Sequence, residues 1–445
     1  MKLKPLHLPL FVLQLALLAL GLLCLVTVNP DGLVKQLVMV VGAVALTLFV
    51  SQVRTRVSVE LGGVAWAVCA VMLVAVLILG SGKSGVDRWI NLPGGYQLQP
   101  SEFTKIALIA YLASFFARKG TGYKLWGPIM VIAVSTGLIL VAPSTSAAVF
   151  VFLLAMGVIF MSGVPMGRIL AIALAAGLVA YPAWMWQSTR YGYVADKIAN
   201  FRLEQNGTID ETAAGYQTRV AKTVIERGGL WGRGPDERKL TVPAQSSDFV
   251  VSTLAHTTGL LGITIIFAIY AGILYIGLST AARVSSATHL EMSERHGAAI
   301  LTSGATLMIV GQAVINFGVV IGRLPNTGMA LPLMSEGGSS LIACAVALGW
   351  MHAANAMVSR VSARKVARQL RSGTSSSALR PARAACRRAL PKCRTWGAWA
   401  FRTSACRPTE PQRFQSCRAR AACSRRAARP VTSSRRLRSP RNSWR

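Results

Sequence analysis

Asp248 is a carboxylate at a boundary. It ends a long polar connection and stands directly before the apolar run Phe249-Val250-Val251. A carboxyl there suits proton abstraction from a hydroxyl, and apolar neighbours of this kind raise a carboxyl pKa. The same placement suits a helix cap, because Ser246, Ser247 and Asp248 all precede the run. On the residues alone, the cap is the commoner use. Arg88, Lys105, Lys239 and Arg323 are cations close to apolar segments, with Arg233 as a rival. Such groups stabilise developing negative charge. Arg88 is the strongest of them, since guanidinium grips phosphate in a bidentate way, although a solvated loop residue is its ordinary reading. Trp89 beside it fits an anchor at the membrane interface. Glu102 and Lys105 are three apart and share a helix face. Pro100 and Glu102 suit a helix start. A local ion pair is the simple reading of Glu102 and Lys105, but ionisable residues at the edge of an apolar span are functional candidates.

The elements that must hold these residues are membrane helices. The chain has 445 residues, of which 53% are hydrophobic and 14% charged, and its mean hydropathy is +0.47. About 25% charged is usual for a soluble domain. The apolar residues form blocks that reach, or nearly reach, the roughly 20 residues a spanning helix needs. Spans are predicted near 8–28, 34–51, 61–80, 103–117, 125–142, 147–163, 168–186, 249–277, 298–321 and 339–358. The fourth is short. The eighth is long, with Gly259 and Gly262 near its middle, so either can be tilted or broken. The fold class is therefore an all-α polytopic membrane protein with about ten transmembrane helices. A large extracytoplasmic loop separates spans seven and eight.

Orientation follows from Lys and Arg in the short connections. One set of ends carries Lys2, Lys4, Arg54, Arg56, Arg118, Lys119, Lys124, Arg168, Arg283 and Arg295. The opposite set carries Lys35, Lys83, Arg88 and Arg323. This places both termini in the cytoplasm and turns the loops 81–101, 187–247 and 323–338 outward. Long loops in a compact protein tend to be functional.

Residues 371–445 differ in kind from the ten-span body, 1–370. They hold 20 of the 48 Lys and Arg but one of the 16 acids, Glu410. With no helical or strand period, this tail is predicted to be disordered. A frame-shifted reading of a GC-rich gene gives the same composition. The concentration of charge in the tail removes the nucleic-acid reading from the body. Five of the eight cysteines also lie in the tail, and no pair has zinc-ligand spacing.

The outer loops carry further motifs. The first reads Gly85-Val86-Asp87-Arg88-Trp89-Ile90-Asn91-Leu92, followed by Gln99-Pro100-Ser101-Glu102-Phe103-Thr104-Lys105. The second ends in Gly228-Gly229-Leu230-Trp231-Gly232-Arg233-Gly234, then Lys239, Pro243 and Asp248-Phe249. The third runs from Leu324-Pro325-Asn326-Thr327-Gly328 to Pro332-Leu333-Met334-Ser335-Glu336-Gly337-Gly338-Ser339-Ser340. Neither a P-loop nor a dinucleotide fingerprint fits these glycines. Tight turns and a re-entrant segment packed against protein fit better.

Together these stretches resemble the SEDS family, the cell-shape and division proteins FtsW, RodA and SpoVE, over about residues 8–360. The resemblance implies an inner-membrane enzyme that polymerises lipid II on the outer face, at the septum or along the cell body. Its implied partner is a class B penicillin-binding protein. It implies that Asp248 is catalytic, taking a proton from the acceptor sugar's 4-hydroxyl, with polyprenyl pyrophosphate leaving. Arg88, Lys105, Lys239 and Arg323 are then candidates beside the pyrophosphate, and Trp89 can stack on sugar. Glu102, Lys105, Ser339 and Ser340 shape the substrate cavity. No metal site is evident, though a divalent ion on the pyrophosphate is chemically reasonable. The Lys239-to-Pro243 spacing leans toward the division branch.

The chain departs from that family at several points. Pro143-Ser144-Thr145-Ser146 lacks the usual acid after the fifth span. His256 and Thr257 replace a Glu pair, Ser246-Ser247 replaces His-Thr, and Glu336 precedes the Gly-Gly-Ser-Ser run. His256 reads as a hydrogen-bonded helix histidine or a substitute for a lost acid. Two alternatives to the enzyme remain: a lipid II transporter, against which no paired half-sequences are found, and an inactive scaffold for the penicillin-binding protein.

Overall fold

The computed structural model describes residues 5–79, 88–93, 96–142, 144–191, 213–234, 248–288 and 290–376. Twelve α-helices occur among them. They are α1 (Leu8–Val28), α2 (Leu33–Gln52), α3 (Thr55–Glu60), α4 (Gly62–Leu79), α5 (Pro100–Lys119) and α6 (Trp126–Val141). The others are α7 (Thr145–Met161), α8 (Met166–Tyr191), α9 (Ala213–Gly228), α10 (Val250–Ser285), α11 (Met292–Val320) and α12 (Gly338–Ser376). A helix stands at each of the ten predicted spans. Only helices satisfy their own backbone groups in such apolar sequence. Five of them (α1; α2 with the short turn before it; α10; α11; and Gly338–Ser359 of α12) are long and apolar enough to cross a membrane. Shorter apolar helices make up α4, α6, α7 and part of α8. The chain divides into two compact units, Met1–Gln369 and Leu370–Arg445. In the second, the only described residues are those that end α12.

The fourth span differs from expectation. It is not short but a 20-residue helix, α5. Glu102, Lys105, Arg118 and Lys119 occupy its two ends and hide its length from an apolar window. Burial explains how it tolerates them. Most of α5 is interior, including Leu108, Ile109, Leu112 and Ala113, and it packs against α3, α4, α6, α7 and α11.

Interhelical hydrogen bonds from small polar side chains fix the register of the bundle. Gln14 of α1 donates to Thr47 of α2 at 3.0 Å, and Thr47 donates to the Ala345 carbonyl of α12 at 3.2 Å. The Trp66 indole donates to Ser135 at 2.9 Å, joining α4 to α6. Phe267 of α10 stacks on Phe317 of α11 with centroids 4.2 Å apart.

The eighth span is broken, as its glycines foretold. Gly259 interrupts α10 with φ 66° and ψ −159°, a region that only glycine enters without strain. A break orphans backbone groups, and each needs a partner. The segment after α9 supplies them. Arg233 N–H donates to His256 O at 2.9 Å and Gly234 N–H to Thr257 O at 3.2 Å. In return, Leu260 N–H donates to Gly229 O at 2.9 Å and Leu261 N–H to Leu230 O at 3.4 Å. The glycine-rich stretch 228–234 is therefore a backbone clamp on the broken helix. Gly232 has φ 80°, and a Cβ there would overlap the Thr257 carbonyl. Gly232→Ala is expected to destabilise the protein by about 1–3 kcal/mol. A lowered thermal midpoint in detergent checks this.

The connection between α4 and α5 holds a feature that the all-helical reading did not include. β1 (Ile90–Leu92) pairs antiparallel with β2 (Tyr96–Leu98), with Asn91 opposite Gln97. The hairpin leads directly into α5.

Candidate functional site

Asp248 lies two residues before α10 and is half-buried. It is not the helix cap. Phe249 occupies the cap position, and its side chain makes no cap hydrogen bond. The Asp248 carboxylate instead lies over Gly328, where a Cβ would sit 3.7 Å from Oδ2. Gly328 has φ 63° and donates its N–H to the Asn326 side chain at 3.1 Å. This turn belongs to the segment between α11 and α12.

That segment is non-helical and embedded in protein, as its prolines and glycines predicted. Met329, Leu331, Leu333, Met334 and Ser335 are buried. The Leu331 N–H donates to Ser335 Oγ at 2.7 Å, and Tyr270 of α10 donates to the Pro332 carbonyl at 2.6 Å. Two amides of α11, one turn apart, complete the anchoring. Gln312 Nε2 donates to Ala330 O at 2.7 Å. Asn316 Nδ2 donates to both Met329 O and Asp248 O, each at 2.9 Å.

Glu102 and Lys105 pair as their spacing implied, and the pair extends into this network. Lys105 Nζ is 2.7 Å from both Glu102 carboxylate oxygens and 2.7 Å from Gln312 Oε1. The Lys105 side chain is 3% exposed and the Glu102 side chain 13%. The ammonium also lies 5.4 Å from the Phe150 ring centroid. Lys105 is thus committed to the interior, and its charge orders α5 and α11 against the re-entrant segment.

Arg88 stands at a narrow crevice with room for about one water molecule. The ends of four helices meet there: Leu73 and Val76 of α4, Pro100 and Ser101 of α5, Ile139 of α6, and Ser144 capping α7. An arginine, two hydroxyls and two helix N-termini on an apolar floor suit an anion attached to a hydrocarbon chain. Asp248 is not among the residues that line this crevice.

The other sequence candidates are spread around these two centres. Trp89 is half-buried beside β1. Ser339 and Ser340 are buried at the start of α12. Ser339 accepts from Gln99 N–H at 3.0 Å and donates to Gln97 O at 3.2 Å, which ties the hairpin to α12. Arg323 is exposed just past α11, and its N–H donates to Gly318 O at 2.8 Å. His256 is buried within the clamped turn of α10, and Thr257 donates to Thr253 O and Leu254 O at 3.1 Å. Lys239, Pro143, Ser246, Ser247 and residues 377–445 lie outside the described residues. Among the described residues, no group of three or more His, Cys, Asp or Glu is placed to hold a metal ion.

Gln312 and Asn316 were missed by the sequence reading. Their signal was present: two amides at i, i+4 inside an apolar run mark a polar row facing protein.

These features define a polytopic helical membrane protein with its polar centres at helix ends. Residues 10–360 match the family model for cell cycle proteins of the FtsW, RodA and SpoVE type, and the chain belongs to that family. It is 33% identical over 295 residues to a probable peptidoglycan glycosyltransferase FtsW of Halomonas elongata, covering 63% of this chain and 70% of that protein. It is 29% identical over 324 residues to the peptidoglycan glycosyltransferase MrdB of Escherichia coli K12, covering 69% and 82%. The fold is similar to a chain of a peptidoglycan synthase complex solved for its coordination of polymerization and crosslinking. There the TM-score is 0.65 at 25% identity, covering 79% of this chain and 98% of that one. It is also similar to an Asp-to-Ala mutant of the rod shape determining protein RodA of Thermus thermophilus. That match has a TM-score of 0.57 at 25% identity, covering 79% and 97%.

Proposed function

We propose that the chain is a peptidoglycan glycosyltransferase that polymerises lipid II, with Asp248 as the general base. The observation that carries this is the seating of the Asp248 carboxylate. It lies over the Gly328 turn, outside the cap position of α10, and is half-buried. In that position it takes the proton from the acceptor sugar's 4-hydroxyl as the oxygen attacks the donor's anomeric carbon. The bond to polyprenyl pyrophosphate breaks, and the pyrophosphate leaves with the bonding electrons. Family membership and the descriptions of the relatives support the same activity.

Arg88 is the cation for the pyrophosphate of a lipid-linked sugar, and Leu73, Val76 and Ile139 supply the apolar surface beside it. Trp89 flanks it. Lys239 and Arg323 add outer-face charge, and Glu102, Lys105, Ser339 and Ser340 hold the walls. Both termini are cytoplasmic by the distribution of Lys and Arg, so the site opens outward at the cytoplasmic membrane. Residues 1–370 form the enzyme body and 371–445 a basic cytoplasmic tail. A class B penicillin-binding protein cross-links the product, in keeping with the synthase complex whose chain shares this fold.

The test is lipid II polymerisation by the full chain with its partner in proteoliposomes. Wild type is expected to make glycan strands and Asp248→Ala none. A wild-type rate from Asp248→Ala rejects the assignment. Arg88→Ala is expected to lower kcat/KM roughly tenfold or more, and Arg88→Lys to recover only part of it, because Lys lacks the planar fork. Steady-state kinetics on defined lipid II reads both.

A further inference from the structure

We infer that Asn316 is a positioning residue that acts through Asp248, an inference that rests on the functional reading above. Its amide is 2% exposed on α11, and Nδ2 bridges two carbonyls, those of Asp248 and Met329, each at 2.9 Å. The assignment of the amide is unambiguous. Both neighbours are acceptors, so the NH2 group must face them. One Nδ2 has two hydrogens, and both are used.

The consequence is geometric. Asp248 stands two residues before α10, whereas Met329 follows Gly328, the residue beneath the Asp248 carboxylate. The two chain segments that define the site therefore meet at one side-chain nitrogen. The Asp248 backbone is fixed relative to the turn its carboxylate covers. Gln312, one turn earlier, holds Ala330 but does not reach Asp248. Among the described residues, Asn316 Nδ2 is the side-chain donor to both carbonyls.

Loss of the bridge leaves the carboxylate and its chemistry in place and loosens its position. A shift on the order of 1 Å costs roughly 100-fold in rate. The experiment uses the full chain with its partner in proteoliposomes, with kcat expressed per folded molecule. Asn316→Ala and the similarly sized Asn316→Leu are expected to lower kcat 10- to 100-fold while KM for lipid II changes less than threefold. Asn316→Gln keeps the donors and is expected to regain part of the rate. If either Ala or Leu retains kcat within twofold of wild type while Asp248→Ala is inactive, the inference is overturned and the functional reading stands. Loss of folding in both Ala and Leu variants assigns the amide to assembly of the fold and also overturns it. A fully active Asp248→Ala protein defeats the functional reading itself, whatever Asn316 does.

Discussion

Replacing Asp248 by Asn is expected to lower lipid II polymerisation by about 10²- to 10⁴-fold, the usual worth of a positioned general base. Asn has the same size and the same branching, so the packing over Gly328 is preserved. The bond from Asn316 is made to the Asp248 carbonyl, which no side-chain exchange removes. Phe249 rather than Asp248 caps α10, so the helix start is not weakened. Thermal stability should therefore stay within about 0.5 kcal/mol, as for a half-open side chain outside a packed feature. What is lost is the proton acceptor. Asp248→Glu keeps the carboxylate but moves it by about one methylene, and a 10- to 100-fold fall is expected from that displacement. The order wild type, Glu, Asn, with Ala at or below Asn, is the signature to measure. Equal activity of Asn and wild type would remove the carboxylate from the chemistry.

The ten helices were legible because hydropathy is a local property and the membrane demands helix wherever it is high. The break in α10 was legible for a similar reason: Gly259 and Gly262 stand near the middle of an unusually long span. The clamp that heals it was not. The four hydrogen bonds from 229–234 to the broken turn are all backbone to backbone, and backbone groups are the same in every sequence. Only the close packing that requires Gly232 leaves a mark, and that mark is also what a plain turn leaves. The hairpin had a signal in Ile90-Asn91-Leu92 and Tyr96-Gln97-Leu98 around Pro93-Gly94-Gly95, but three-residue strands fall beneath any search for spans.

The site was legible in its chemistry and not in its wiring. Asp248 and Arg88 are candidates by type and position, and Glu102 with Lys105 pair as their helical spacing implied. The sequence offered Lys105 both as a cation beside the pyrophosphate and as half of a local ion pair, and its 3% exposure and three short contacts are those of the pair, turned inward. Burial of that kind depends on α11 and Phe150, which come from distant parts of the chain. The partnership of Asp248 with Gly328 likewise joins residues 80 apart, and no local pattern encodes it.

The inward turn of Lys105 carries the second large effect. A buried ion pair gains little over a well-packed apolar pair, but breaking it by removing one member costs about 3–5 kcal/mol. Lys105→Ala strands the Glu102 carboxylate at 13% exposure and leaves Gln312 Oε1 without its 2.7 Å donor. Glu102→Gln strands the ammonium less completely, because Gln312 still accepts from it. The single variants are expected to fall in the order Lys105→Ala worse than Glu102→Gln. The double variant Glu102→Gln with Lys105→Met removes both charges and keeps the volume, and it is expected to recover most of the loss. Denaturation in a mild detergent reads the coupling between the two sites. Additive losses in the double variant would mean that the two charges do not compensate one another. Activity should follow a different rule. Gln312 anchors Ala330, next to the Met329 carbonyl that Asn316 holds, so a Gln312 side chain freed from Lys105 loosens the turn beneath Asp248. The double variant should therefore regain stability more fully than it regains polymerisation.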